Sequence, residues 1–202
     1  MKICFTLDDV LRAKTKQIAK MIKKHINADF DAETLDFTDK EYWEAFGFET
    51  KKIFEEFLYK DYFYEVFGEA DPAVKMCDKN MNLWLLDIDN NDDIEEPVEV
   101  LLSNPREFNA SIGCTCFFLS KIATRVRNIF FPKDSLNIWD NCDILITADR
   151  NLLENKPNDK VSIKINTDYN QDVEADIVYD DVNKLFADSE FFNKINDIKT
   201  NN

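Results

Sequence analysis

Met1-Lys2-Ile3-Cys4-Phe5-Thr6-Leu7-Asp8-Asp9-Val10-Leu11 is the stretch whose reading decides the fold. Ile3, Cys4, Phe5 and Leu7 make residues 2–7 a near-continuous apolar run, the pattern of a strand covered on both faces of a parallel sheet. The run meets paired acids, and Val10 and Leu11 open an apolar spacing that continues through Ile18, Met21, Ile22 and Ile26. That spacing predicts a helix over 10–27. A strand running into a helix with carboxylates at the junction puts Asp8 at the C-terminal edge of a parallel sheet, where α/β folds bind ligands.

The alternation repeats downstream. Apolar runs predict strands at 98–102, 128–131, 143–147 and 161–165, and a short one near 176–179. Helical spacing is predicted over 72–86, 107–124 and 181–197. The fold class that follows is α/β with a mainly parallel, doubly wound sheet. Residues 31–68 depart from the alternation and are dense in aromatics, among them Tyr42, Trp43, Phe46, Phe48, Phe54, Phe57 and Phe67. Thr38 and Glu41 form a capping-box pattern, Gly47 marks a break, 50–59 reads as a helix and Gly68 ends the segment. Such rings pack mainly into a core, while some can line a ligand mouth.

Bulk composition bounds the function. The chain has 202 residues, 45% hydrophobic, with a net charge of −15; this suits one α/β domain with a small insert. A chain so acidic repels nucleic acid and anionic membranes, and takes a nucleotide only through a metal or a focused cationic pocket. Five cysteines without a CxxC pair read as free thiols of a reducing compartment. With no leader expected before an opening strand, and no apolar run of membrane-spanning length, a cytoplasmic location is expected. The abundance of Asn, Asp, Lys and Ile suggests an AT-rich bacterial or phage genome; virion association is the alternative location in the phage case. His25, the single histidine, builds no two-histidine metal site. Lys16, Lys20, Lys23 and Lys24 read as a solvated helix face. Asp87–Pro97 has the acidity of a calcium loop but carries Asp92 at the glycine position and Val98 at the terminal Glu position, and reads as an acidic turn.

Polar strand ends then fall in a telling order. Phe5-Thr6-Leu7-Asp8-Asp9-Val10-Leu11, Leu101-Leu102-Ser103-Asn104-Pro105, Lys133, and Asp143-Ile-Leu-Ile-Thr-Ala-Asp149-Arg150 follow one another along the chain. In this order the chain resembles the haloacid dehalogenase-like superfamily, and within it the 5′(3′)-deoxyribonucleotidase-type proteins. Asp61-Tyr-Phe-Tyr-Glu65 before Gly68 is similar to that family's aromatic return from a helical cap. The resemblance implies a three-layer Rossmann-like core formed by 1–11 and 70–202, with a helical cap over 12–69. It implies a nucleophilic Asp at position 6, an acid–base Asp at position 8, phosphate-holding residues at Ser103, Asn104 and Lys133, and Mg²⁺ held by Asp8 and Asp149.

The departures change what is expected. Thr6 stands where the nucleophilic carboxylate belongs; a hydroxyl needs a base to activate it and brings no charge to a metal. Ala148 replaces one of two late acids, and Lys133 lies further from the last motif than in the family. Asp8 and Ser103 also have purely structural readings as helix caps. The expectation is therefore a catalytically inactive relative that serves as a binding, scaffold or assembly protein, without cofactor. Its partner would be an unidentified protein or a second copy, contacted through Tyr42, Trp43 and Phe48. The alternative is a Mg²⁺-dependent phosphatase acting on nucleoside monophosphates through Asp8 and an unusual nucleophile at Thr6.

Overall fold

A computed structural model of the chain describes residues 1–90 and 97–201. Six strands form one sheet: β1 (Lys2–Thr6), β2 (Glu99–Ser103), β3 (Asn128–Phe130), β4 (Ile144–Thr147), β5 (Val161–Ile165) and β6 (Ile177–Tyr179). Their order is β3-β2-β1-β4-β5-β6, and neighbours pair in parallel. This is the Rossmann-type order, with the reversal point beside β1. Parallel pairing forces every connection to cross over, so the strand ends that face ligand all lie on one edge. Register puts Thr6 opposite Ser103 and Phe5 opposite Ile146, which brings the ends of β1, β2 and β4 level.

Period-two alternation divides the core. Ile3, Phe5 and Leu7 face one side, where they pack with Trp84 of α4 (Cys77–Asp89), Phe118 and Leu119 of α5 (Ser111–Ile122), Leu185 of α7 (Val182–Phe186) and Phe191 of α8 (Phe191–Asn201). Cys4 and Leu145 face the other side, against Ile138 and Trp139 of a 3₁₀ turn and Leu152 of α6 (Arg150–Glu154). Three layers result, as the sequence predicts.

A third cluster is drawn mostly from the segment between β1 and β2 in sequence and is completed by Cys114 of α5 and by Phe108. Ile18, Met21 and Ile22 of α1 (Lys14–His25) pack on Phe46, Phe54, Phe57 and Phe67. The short α2 (Tyr42–Ala45) and α3 (Lys51–Glu56) carry part of this set, followed by two π-helical turns, Phe57–Asp61 and Tyr64–Gly68. Each ring buried here contributes about 2–3 kcal/mol.

Several boundaries differ from the sequence reading. The helix expected over 10–27 begins at Lys14, because Leu7 O accepts from the backbone N–H of Val10, Leu11 and Arg12 and Asp9 takes φ 56°. This tight turn sends Val10 and Leu11 into the core. The capping pair before α2 is Glu41 with Glu44, not Thr38 with Glu41; the chain turns at Asp39 (φ 52°), and Glu41 N–H donates to Glu44 Oε2 at 2.9 Å. The helix expected over 72–86 starts at Cys77, after Met76 in a left-handed conformation. The C-terminal helix is two, split around Asp188, whose carboxylate accepts from Glu190 N–H at 3.0 Å. Much of the acidic turn over Asp87–Pro97 lies outside the described residues. No helix among the described residues is long and apolar enough to cross a membrane.

Candidate functional site

A cleft of about 1000 Å³ opens at the C-terminal edge of β1, β2 and β4. Thr6, Asp8, Ser103, Asn104, Asp149 and Tyr42 all line it, so residues separated by up to 143 positions in sequence meet in one place. Lys133 does not: it is exposed on the turn after β3 and outside the cleft lining. Trp43 and Phe48 are half-buried in the aromatic cluster and do not line the cleft either.

At the end of β1, Thr6 is buried and its hydroxyl donates sideways to Thr147 Oγ1 at 3.0 Å. Thr147 Oγ1 in turn accepts from Asp149 N–H at 3.0 Å. A neutral hydroxyl chain therefore occupies the place where the family resemblance implies a charged nucleophile.

Asp8 is held by two cations. Its Oδ1 accepts from Arg12 Nε at 2.8 Å and from Nη2, and its Oδ2 pairs with Lys14 Nζ at 3.0 Å. Burial would raise its pKa, but the charges of Arg12 and Lys14 and the hydrogen bonds they donate hold it below the ordinary carboxylate value. Arg12 itself is fully buried. It also donates to Phe67 O at 3.0 Å and to Asn104 Oδ1 at 2.8 Å, with its guanidinium over the rings of Phe67 and Phe118. Four of its five N–H groups thus meet a partner, which is what allows a charged side chain to stay out of water. For Lys14, burial would lower the pKa, but Asp8 and then Glu107 raise it well above normal.

Asn104 is committed at both ends, because its Nδ2 donates to Pro105 O at 3.1 Å. Ser103 Oγ is buried and has no partner among the described residues. Asp149 caps α6 by accepting from Leu152 N–H at 3.1 Å. Asp9, beside Asp8, accepts from Thr15 N–H (2.9 Å), Thr15 Oγ1 (2.6 Å) and the Tyr169 hydroxyl (3.0 Å). Burial outweighs those hydrogen bonds and raises its pKa, with the charge of Asp8 adding to the effect.

Tyr169 packs edge-on against Phe37 and Tyr42, and Tyr42 Oη lies 2.7 Å from Thr15 Oγ1. The loop after β5 therefore ties the sheet edge to the aromatic segment. Lys164, buried on β5, fixes that loop by donating to Asn170 O at 3.2 Å and Val173 O at 2.6 Å. Asn170 Nδ2 bridges to Ala148 O and Ile165 O.

The fold family implies a divalent metal, and the residues present do not fit one. Thr6 supplies no carboxylate, and both oxygens of Asp8 are occupied by the chain's own cations. Among the described residues no three His, Cys, Asp or Glu side chains converge to hold an ion. Arg12 and Lys14 are not singled out by the sequence, because their pairing with Asp8 depends on the tight turn at Asp9 that the apolar spacing conceals. Of the two, only Arg12 stands at the four-residue spacing from Asp8 that commonly pairs an acid with a base.

No protein-family model matches the chain, and no curated protein matches it. Among solved structures, a protein of Burkholderia xenovorans described as a haloacid dehalogenase-like hydrolase superposes on 95% of this chain and 97% of its own. The TM-score is 0.51 and the sequence identity 11%. At that identity the likeness carries the fold alone, and the fold is a haloacid dehalogenase-like, Rossmann-type one.

Proposed function

We propose that this chain is a haloacid dehalogenase-like protein that does not transfer phosphoryl groups and uses the cleft as a binding site. The observation that carries the reading is Asp8, clamped between Arg12 and Lys14. A phospho-aspartyl route needs a carboxylate nucleophile and a second acid that lends and recovers a proton near neutral pH. Thr6 has no carboxylate, and Asp8 is kept ionised, so it has no proton to lend. On this reading residues 12–69 act as a cap beside the cleft, to which they contribute Phe37 and Tyr42. The deoxyribonucleotidase-type motifs are then structural remnants: Asp8 anchors Arg12, Asn104 joins that anchor, and Asp149 caps a helix.

The test is Mg²⁺-dependent phosphate release from a panel of nucleoside and deoxynucleoside monophosphates, run on wild type, Asp8→Asn and Thr6→Asp. Wild type is expected to be silent. Thr6→Asp is expected to stay silent too, because the Arg12–Asp8 pair persists. Clear wild-type turnover that disappears in Asp8→Asn would sink the proposal and establish a nucleotidase with an altered nucleophile.

A further inference from the structure

The charge of the cleft runs opposite to what a phosphate ligand needs. Its three lining cations are already ion-paired: Lys14 with Asp8 at 3.0 Å, Lys40 with Asp36 at 3.3 Å, and Arg150 with Asp172 at 2.7 Å and Glu154 at 2.8 Å. Ten carboxylate side chains line the same cleft against those three cations. Across the chain the proportion is 40 acids to 25 bases, so the cleft lining is somewhat more acidic than an already acidic chain.

The surplus faces solvent at the mouth. Asp39 and Glu41, before α2, and Asp168, in the loop after β5, are exposed and form no ion pair among the described residues. Clefts lined by one sign of charge focus the field and concentrate ligands of the opposite sign. The floor carries an independent sign of a ligand. Ser103 is fully buried, lines the cleft, and its Oγ lacks a partner among the described residues. A buried hydroxyl left unpaired costs free energy, and an incoming ammonium or guanidinium N–H gives it a donor to accept from. Tyr42 and Tyr169 add ring surface to the same wall, suited to cation–π contact.

We propose that the cleft binds an organic polycation: a ligand with two or more ammonium or guanidinium groups, either a free aliphatic polyamine or a lysine- and arginine-rich peptide segment. The proposal rests on reading the cleft as a binding site instead of a phosphoryl-transfer centre. The cleft volume, about 1000 Å³, stands at the upper end of small-ligand sites and accommodates an extended chain.

The experiment is calorimetric titration of the whole chain with spermine, with a hexa-arginine peptide, and with a nucleoside monophosphate in the absence of metal. It is repeated on Asp39→Asn/Glu41→Gln/Asp168→Asn, on a control with three acids neutralised outside the cleft (Asp29→Asn/Asp140→Asn/Glu174→Gln), and on Ser103→Ala. Asn accepts the left-handed backbone of Asp39, so the cleft variant keeps its turn.

Polycation binding that weakens with salt is expected, with a loss of about tenfold in the cleft variant and less than about twofold in the control. Ser103→Ala is expected to weaken binding about threefold or more. Binding of spermine alone assigns a free polyamine, and binding of the peptide alone assigns a peptide segment. Absence of both, equal loss in the control, or tighter metal-free binding of the monophosphate overturns the proposal. Phosphate release from the monophosphate with Mg²⁺ is a separate readout and overturns the non-catalytic reading instead.

Discussion

Arg12 is the residue on which the site turns. Its buried guanidinium sets a fixed positive charge beside Asp8. Removing one partner of a buried pair leaves the others stranded in low dielectric. Arg12→Met is therefore expected to destabilise the chain by about 3–5 kcal/mol, measured by urea denaturation, because Asn104 Oδ1 and Phe67 O lose their donor along with Asp8. The neighbouring acids give stability opposite dependences on pH. Asp8 has a folded pKa below the ordinary value of about 3.9, so its contribution is complete above that value and disappears as pH falls through the lowered one. Asp9 has a raised pKa, so its contribution is complete below about 3.9 and disappears as pH rises through the raised value. Melting curves between about pH 3 and pH 7 should show a shallower acid limb in Asp8→Asn and a smaller loss on the neutral side in Asp9→Asn.

At the scale of elements, the loop 166–173 is the piece that joins sheet and aromatic segment. Asn170 organises it: Nδ2 donates to Ala148 O and Ile165 O, and Oδ1 accepts from Thr167 N–H at 2.9 Å. Asn170→Ala should cost about 2–3 kcal/mol and raise amide exchange across 166–173, since Tyr169 then loses its fixed approach to Asp9. The elements were unequally legible in the sequence. Buried strands read directly, because Ile3-Cys4-Phe5 and Ile144-Leu145-Ile146 are apolar on both faces. The start of α1 did not, because Val10 and Leu11 match helical spacing while serving a turn whose shape depends on Leu7 O and the left-handed Asp9. Thr6, Asp8, Ser103, Asn104 and Asp149 were legible as cleft residues because strand ends share one edge. The burial of Arg12 and the closing role of Tyr169 were not, since both depend on contacts with segments far away in sequence.

For the whole molecule, charge is the dominant global property. With 40 acids against 25 bases, the compact state works against its own repulsion. Raising NaCl from about 0.02 M to about 0.5 M should increase Tm by about 2–5 °C, read by calorimetry. A fall over that range would mean that attractive pairs such as Lys156–Asp176 outweigh the repulsion.

The central position of β1 has a consequence in time. Its partners are far behind it: Lys2 pairs with Glu99, and Ile3 with Ile144. At translation rates of roughly 5–20 residues per second, the first strand waits roughly 5–20 s for β2 to be made and longer for β4. Throughout that interval Ile3, Cys4 and Phe5, which end with no solvent exposure, have no strand to join. The aromatic segment that follows can collapse upon itself sooner, since its partners are close in sequence. The newborn chain is thus exposed to aggregation at β1, and folding yield should respond to chaperones that shield that strand and to the pace at which the ribosome moves on to residue 147.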